Sequence, residues 1–258
     1  MPGEARFSLA RRLRAGETVF SAWCGLPAPL VVENVARAGF SAAVIDQQHG
    51  LWDTATTLAA IGGIHQAGSA PLVRVPLNDF AGAARVLDFG AEAVIAPMIN
   101  SAADARAFVA ATKYPPLGER SVGAHRAAAL AGFADQRPYL KEANGITLTF
   151  AMIETRAALA NLDAIAATPG IDVLFVGPSD LSMALSEGKT LDAHSAEVEA
   201  ALDQILAACK KAGKIPGLYC IDGERAAAMS KRGFKFLTVG SDLAFLRAGA
   251  AEQLAKLR

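Results

Sequence analysis

The sequence predicts an α/β protein folded as a (β/α)8 (TIM) barrel. Three observations predict it: about eight short runs rich in apolar and β-branched residues, a helical pattern after each of them, and a chain of 258 residues where such barrels take about 250. An open doubly wound sheet is the competing architecture. It ordinarily uses fewer strands and, for dinucleotides, a Gly-x-Gly-x-x-Gly turn after the first strand, which this sequence lacks. Hydrophobic residues make up 52% of the chain, ample for one large core, and no linker divides it, so residues 1–258 read as a single domain.

The elements follow in order. Phe7 to Ala15 has helical apolar spacing and stops at Gly16, giving a short helix ahead of the first strand, Val19 to Cys24. Pro27 and Pro29 open a helix to Arg37, closed by Gly39; the second strand is Ala42 to Asp46, and a helix runs from Thr54 to Gln66. The third strand, Pro71 to Val75, carries Arg74 in an otherwise apolar run. Asn78 caps a helix from Asp79 to Phe89 that Gly90 stops. Strand four is Ala93 to Met98, and Ser101 with Asp104 starts a helix to Thr112. From Lys113 to Asp135 the pattern breaks into a long irregular segment, the kind of loop that is usually functional or disordered. A helix from about Gln136 to Ala143 leads to strand five, Thr147 to Ile153. Strand six, Asp172 to Val176, leads through Ser182 and a loop at Gly188 into a long helix, Ala193 to Ala212. Strand seven is Ile215 to Cys220, strand eight Phe236 to Val239, and a closing helix starts at Ser241 and Asp242.

Composition narrows the function. Twenty-five basic residues balance 25 acidic ones and no basic run interleaves with aromatics, which argues against nucleic acid. No stretch has the length and apolarity of a membrane span. Met1 to Glu17 is studded with Arg and Glu and lacks a secretory pattern, so the expected location is cytoplasmic. Cys24, Cys209 and Cys220 are an odd number without Cys-x-x-Cys spacing, which speaks against a disulfide framework or a thiolate zinc site.

In a barrel, polar residues at the carboxyl ends of strands are the catalytic candidates, and here these are Asp46, His49, Arg74, Glu154 and Asp180. Glu154 and Asp180 close neighbouring strands. Two hard carboxylates there suit a divalent cation such as Mg²⁺, which usually takes one or two carboxylates and fills its octahedron with water and substrate oxygens. Such a cation would chelate a 2-oxo acid and act as electron sink for an enolate. Backbone N–H groups of the helix that starts at Gly177, Pro178 and Ser179 would receive the substrate carboxylate, Arg74 would stabilise enolate charge, and His49 would move the proton. Each residue also has a plain structural reading: Glu154 as a solvated loop residue, Asp180 as a first-turn helix charge, Arg74 as an interior salt bridge, His49 as a turn residue, Asp46 as a residue that orients a neighbour.

The segments Ile45-Asp46-Gln47-Gln48-His49-Gly50, Pro71-Leu72-Val73-Arg74, Tyr114-Pro115-Pro116-Leu117-Gly118-Glu119-Arg120, Ile153-Glu154-Thr155-Arg156 and Gly177-Pro178-Ser179-Asp180-Leu181-Ser182 resemble the motifs of the 4-hydroxy-2-oxoheptanedioate aldolase family, in order and spacing from Ser21 through Gly240. The resemblance implies a metal-dependent class II aldolase that cleaves a 4-hydroxy-2-oxo acid to pyruvate and an aldehyde, and runs in reverse as an aldol addition. It implies Mg²⁺, Mn²⁺ or Co²⁺ on Glu154 and Asp180, Arg74 against pyruvate, and His49 with Asp88 as the proton-handling pair. It further implies a homo-oligomer, a hexamer built as a trimer of dimers, with exchanged carboxy-terminal helices that make Phe245 to Leu257 an interface element.

Two positions depart from the pattern. Met152 stands where these aldolases usually have Gln, and strand alternation puts it on the same inward face as Glu154. Gln48 replaces a Glu found in several members. Three rivals remain. A Schiff-base aldolase needs a buried Lys near the site, whereas Lys214 and Lys235 precede strands seven and eight at the wrong end. A lyase acting on a coenzyme A thioester shares the metal–carboxylate logic, and a silent barrel that only binds a keto acid is the non-enzyme alternative. For the distal end of the aldehyde, His125 and Arg126 on the long loop are the candidates.

Overall fold

A computed structural model describes residues 6–257, so the first five residues of the Met1 to Glu17 reading lie outside the described residues. Eight parallel strands close in sequence order, β1 next to β2 and so on until β8 returns to β1. The order runs α1 (Leu9–Arg14), β1 (Val19–Cys24), α2 (Pro29–Arg37), β2 (Ala42–Asp46), α3 (Thr54–Gln66), β3 (Ala70–Arg74), α4 (Phe80–Asp88), β4 (Ala93–Ala96), α5 (Ala102–Thr112), α6 (His125–Leu130) and α7 (Gln136–Ile146). It continues β5 (Leu148–Ile153), α8 (Arg156–Ala160), α9 (Leu162–Ala166), β6 (Val173–Val176), α10 (Pro178–Leu185), α11 (Ala196–Ala212), β7 (Ile215–Leu218), α12 (Gly223–Arg232), β8 (Phe236–Ser241) and α13 (Asp242–Ala255).

The near-continuous apolar strands have two faces to bury, and each finds its own core. Val44, Leu72, Phe150, Met152, Phe175 and Phe236 point into the barrel, whereas Ile45, Val73, Ala151, Leu174 and Leu237 pack under the surrounding helices. The interior aromatics interlock edge-on, with Phe150 and Phe236 centred 4.9 Å apart at 81°. Leu9, Ala10 and Leu13 of α1 join this inner core, so the short leading helix closes the barrel at its amino-terminal end. Glu92, beneath β4, caps that helix: its Oε2 accepts from the N–H groups of Ser8 and Leu9 at 2.9 and 2.8 Å. Burial pushes the Glu92 carboxyl up to about 7.

Several element boundaries differ from the sequence reading, for local reasons. Asp79, not Asn78, caps α4, its carboxylate accepting from Gly82 N–H at 2.8 Å, while Asn78 takes the positive φ of the preceding turn. The stretch from Lys113 to Asp135 contains α6, whose alanines 127, 128 and 131 are buried against Tyr139 of α7 in a small core of their own. Strands β4 and β7 stop two residues early, at Ala96 and Leu218, which frees Met98 and Tyr219 to lie in the loops above the barrel. Among the described residues no helix is long and apolar enough to cross a membrane.

Candidate active site

The carboxyl ends of the strands surround a cavity of about 220 Å³ lined by Trp23, His49, Arg74, Met152, Phe175, Gly177, Pro178, Ser179, Asp180 and Tyr219. Of the residues singled out in the sequence, His49, Arg74, Met152, Gly177, Pro178, Ser179 and Asp180 line it directly, and Asp46 and Glu154 stand immediately behind.

Asp46 and Arg74 are register partners on β2 and β3, so the ladder sets their side chains next to each other. The pair is bidentate: Arg74 Nε and Nη2 donate to the two carboxylate oxygens at 2.8 and 2.7 Å. The indole N–H of Trp23 donates to Asp46 Oδ2 at 3.1 Å, and the Arg74 guanidinium lies 4.7 Å over the same indole. Burial alone would raise the Asp46 carboxyl. The Arg74 hydrogen bonds and charge, with help from Trp23 and the His49 N–H, outweigh it and hold the group below the ordinary carboxylate value. Arg74 is thus an interior salt bridge and a cavity residue at once, with Nη1 left over for a ligand. The turn after β2 wraps the same carboxylate, as the N–H groups of Gln48 and His49 donate to Asp46 Oδ1 at 3.1 and 3.3 Å. Gly50 closes the turn because a Cβ there would lie 2.2 Å from the Asp46 carbonyl oxygen. That turn delivers His49, exposed, to the rim.

Glu154 follows β5 and is 2% exposed. Its Oε1 accepts from the Met98 N–H at 2.8 Å, while its Oε2 is enclosed without a hydrogen-bond partner. Burial chiefly, and the negative charge of Asp180, push the carboxyl up to about 7. Met98 holds its N–H in place from a left-handed backbone, φ 54°, unusual for a residue with a side chain. Asn100 braces the loop, its side-chain oxygen accepting from Thr155 Oγ1 and its carbonyl from the Asn161 amide. Gly177 is needed for another reason: a Cβ there would meet Glu154 Oε2 at 2.3 Å and Met152 Cε at 3.0 Å. From Gly177 the chain turns directly into α10, with Pro178 at the first helical position and Asp180 exposed in the first turn. The first-turn N–H groups there have no acceptor within their own helix.

A buried carboxylate oxygen without a partner, facing a second carboxylate, is the surrounding a divalent cation fits. Among the described residues no cluster of three or more His, Cys, Asp or Glu side chains comes together. The protein would therefore supply two carboxylates and leave the remaining positions to water and substrate, the usual division for Mg²⁺.

Three residues named from the sequence lie elsewhere. Asp88 ends α4, and a helix that returns between parallel strands runs antiparallel to them, so Asp88 sits toward the amino-terminal end of the barrel, away from His49 of its own chain. There it accepts from the buried Arg120 guanidinium, which is stacked 4.7 Å over the Tyr114 ring. Arg126 is a correction to the substrate-binding set: its Nε and Nη2 donate to the carbonyls of Phe89 and Leu58 at 3.0 and 3.2 Å, so it clamps α4 to α3 and does not line the cavity. His125 lies on a separate surface depression with Phe133 and Arg137. Conversely, Trp23, Phe175 and Tyr219 line the cavity although nothing in the sequence set them apart from core aromatics.

Residues 20–248 match the family model described as HpcH/HpaI aldolase/citrate lyase. A hydroxypyruvate/pyruvate aldolase of Rhizorhabdus wittichii is 37% identical over 243 residues, covering 94% of this chain and 95% of that protein. A 4-hydroxy-2-oxo-heptane-1,7-dioate aldolase of Klebsiella pneumoniae is 36% identical over 239 residues, covering 92% and 89%. Among solved structures, an HpcH/HpaI aldolase/citrate lyase family protein of Burkholderia cenocepacia superposes with a TM-score of 0.88 at 33% identity, covering 97% and 99% of the two chains.

Proposed function

The chain belongs to the HpcH/HpaI aldolase/citrate lyase family and is a carbon–carbon lyase of the aldolase kind; from that premise we propose that it cleaves 4-hydroxy-2-oxo acids to pyruvate, or a close analogue, and an aldehyde, with a divalent cation on Glu154 and Asp180. The observation that carries this reading is the enclosed, unpartnered Oε2 of Glu154 beside Asp180, in the same cavity as Arg74. Mg²⁺, Mn²⁺ or Co²⁺ suits the donor pair, and when bound it supplies Lewis-acid polarisation of the substrate oxygens.

The residues divide the remaining work. First-turn N–H groups of α10 receive the substrate carboxylate. His49, at the rim, takes the proton from the C4 hydroxyl. The C3–C4 bond breaks, the aldehyde leaves, and the electron pair passes through C3 and C2 onto the keto oxygen, giving an enolate. The spare Nη1 of Arg74 donates to that oxygen, and the Asp46 pair and the Trp23 stack keep the guanidinium in place before charge develops. Protonation at C3 completes the 2-oxo acid product.

The reading extends to assembly. Leu243, Leu246, Leu254 and Leu257 on and just beyond α13 are 42, 50, 60 and 82% exposed, and Leu30, Val35, Phe40, Phe245 and Leu246 line an apolar groove of about 470 Å³ between α13 and α2. A homo-oligomer, hexameric on the family resemblance, would cover this face. It would also be the only way for Asp88 to reach a His49, since the two lie at opposite ends of one barrel. Sedimentation of the purified protein is expected to show an oligomer, and a strict monomer at working concentration would overturn both the assembly and the His49–Asp88 pair.

The reaction itself is tested by following 2-oxo acid release from a 4-hydroxy-2-oxo acid, with and without a chelator, and after borohydride in the presence of pyruvate. Activity is expected to vanish with chelator, return with divalent ion and survive borohydride, because among the described residues no lysine lines the cavity. Chelator-resistant turnover, or a reduced adduct on a lysine, would overturn the metal-dependent reading.

A further inference from the structure

The segment that ends β5 with Glu154 continues into Thr155 and Arg156, and Arg156 does not line the cavity. Its backbone is fixed at once: the Thr155 side chain caps α8, accepting from the Ala158 N–H at 3.0 Å, and Arg156 is the first helical residue. From there the side chain crosses to the far end of α10. Its Nε donates to the Ala184 carbonyl at 2.8 Å and its Nη2 to the Leu185 carbonyl. Carbonyls of a last helical turn lack the regular partners of the helix interior, and a guanidinium there suits both the acceptors and the negative end of the helix. The Arg156 ion pair with Glu187, 3.6 Å long between side chains 56 and 68% exposed, adds little.

One short stretch of chain therefore holds α10 at both ends. At its start Gly177 lies so close to Glu154 Oε2 that a Cβ would collide with it. At its end, eight residues and about 12 Å further on, stands the Arg156 clamp. Between them Leu181 and Ser182 are buried and seat the middle of the helix. A helix seated at its middle can still tilt about that seat, and its first turn swings when it does. Asp180 stands exposed in that first turn, so the tilt of α10 sets where its carboxylate lies relative to Glu154.

We propose that Arg156 is a positioning residue: by clamping the carboxyl end of α10 it fixes the placement of Asp180 against Glu154, and with it the fit of the two carboxylates to a divalent cation. This rests on the reading of those carboxylates as ligands. The charge of Arg156 works in the opposite direction. Removing a positive charge favours a cation bound nearby, so weaker binding after its loss reports position and not charge.

The test is direct binding, with no substrate and no turnover. Mn²⁺ is titrated calorimetrically, at fixed pH, into chelator-treated full-length protein: wild type, Asp180→Asn, Arg156→Met, Arg156→Lys and Glu187→Gln. Arg156→Met keeps the aliphatic stem and is expected to weaken Mn²⁺ roughly tenfold, the lower end of what altering the support of a metal ligand costs. Its thermal melting should move little, because the side chain is more than half exposed. Arg156→Lys, with one ammonium for two carbonyls, is expected to fall between Arg156→Met and wild type. Glu187→Gln, which removes the surface ion pair and leaves the clamp, should bind as wild type does. If Arg156→Met binds Mn²⁺ as tightly as wild type, or Glu187→Gln weakens it as much, the proposal is overturned while the ligand reading stands. Should Arg156→Met lose cooperative melting, Arg156→Lys decides by the same criterion. Wild-type protein without an Mn²⁺ site that Asp180→Asn abolishes overturns the ligand reading and the proposal with it.

Discussion

Glu154→Gln is expected to lower turnover by roughly a thousandfold or more, the several kcal/mol that a Lewis-acid cation contributes to a developing enolate at about 1.36 kcal/mol per decade of rate. The substitution keeps the shape and the acceptor for the Met98 N–H and removes only the capacity to be an anionic ligand. It should not unfold the protein. With the carboxyl pushed up to about 7, the cation-free wild type carries Glu154 about half protonated at neutral pH and mostly protonated a unit below it, so the amide stands in for a neutral form the site already accommodates. The same shift gives a pH signature. A proton must leave Glu154 before the oxygen can ligate, so the divalent concentration needed for half-maximal activity should rise by roughly tenfold for each pH unit below about 7 and level off above it. Metal titrations of activity between pH 5.5 and 8.5, with thermal melting of the variant as control, check both statements. A variant that retains wild-type turnover, or a wild-type metal requirement indifferent to pH, would remove Glu154 from the ligand set.

Arg74→Lys is expected to lower kcat by roughly ten- to a thousandfold, the range for removing one preorganised donor from a developing oxyanion. Charge is conserved, and geometry is what changes. Lysine cannot bond both Asp46 oxygens while presenting a third donor to the cavity, and its ammonium has no planar face to lie on Trp23. The loss should appear in kcat more than in KM, since the enolate charge exists only beyond the ground state. Steady-state kinetics on material shown to melt cooperatively would decide it. Near-normal kcat would leave the Asp46–Arg74 pair a structural bridge and nothing more.

Much of this site is legible in the sequence because barrel strands advertise their ends. A buried parallel strand is an apolar run, and Asp46, Arg74 and Glu154 are conspicuous as charges where such runs stop; Gly177-Pro178-Ser179-Asp180 marks a helix start by composition alone. What escaped notice did so for physical reasons. Trp23 and Tyr219 are aromatic residues at the ends of apolar runs, indistinguishable in sequence from core packing, and only the early end of β7 and the stack on Trp23 turn Tyr219 into cavity wall. The Met98 contribution is a backbone N–H, which no side-chain pattern displays. Arg126 falls in the segment from Lys113 to Asp135, whose irregular opening at Tyr114-Pro115-Pro116 reads as one long loop and conceals the short helix α6 that carries it.

The left-handed turn at Met98 has a consequence for anyone who would move this chemistry to another scaffold. Glu154 keeps one oxygen clear because a neighbouring loop, bent against its own preference, occupies the other. Two acidic side chains copied onto a different barrel, one after a strand and one in the first turn of the next helix, would lack that brace. Their carboxylates would be free to rotate, pair with water or with each other, and the constellation would be present in composition yet loose in geometry. The transplantable unit is therefore larger than the pair of acids: it includes the kinked loop after β4, the Asn100 anchors that hold it, and the missing side chain at Gly177.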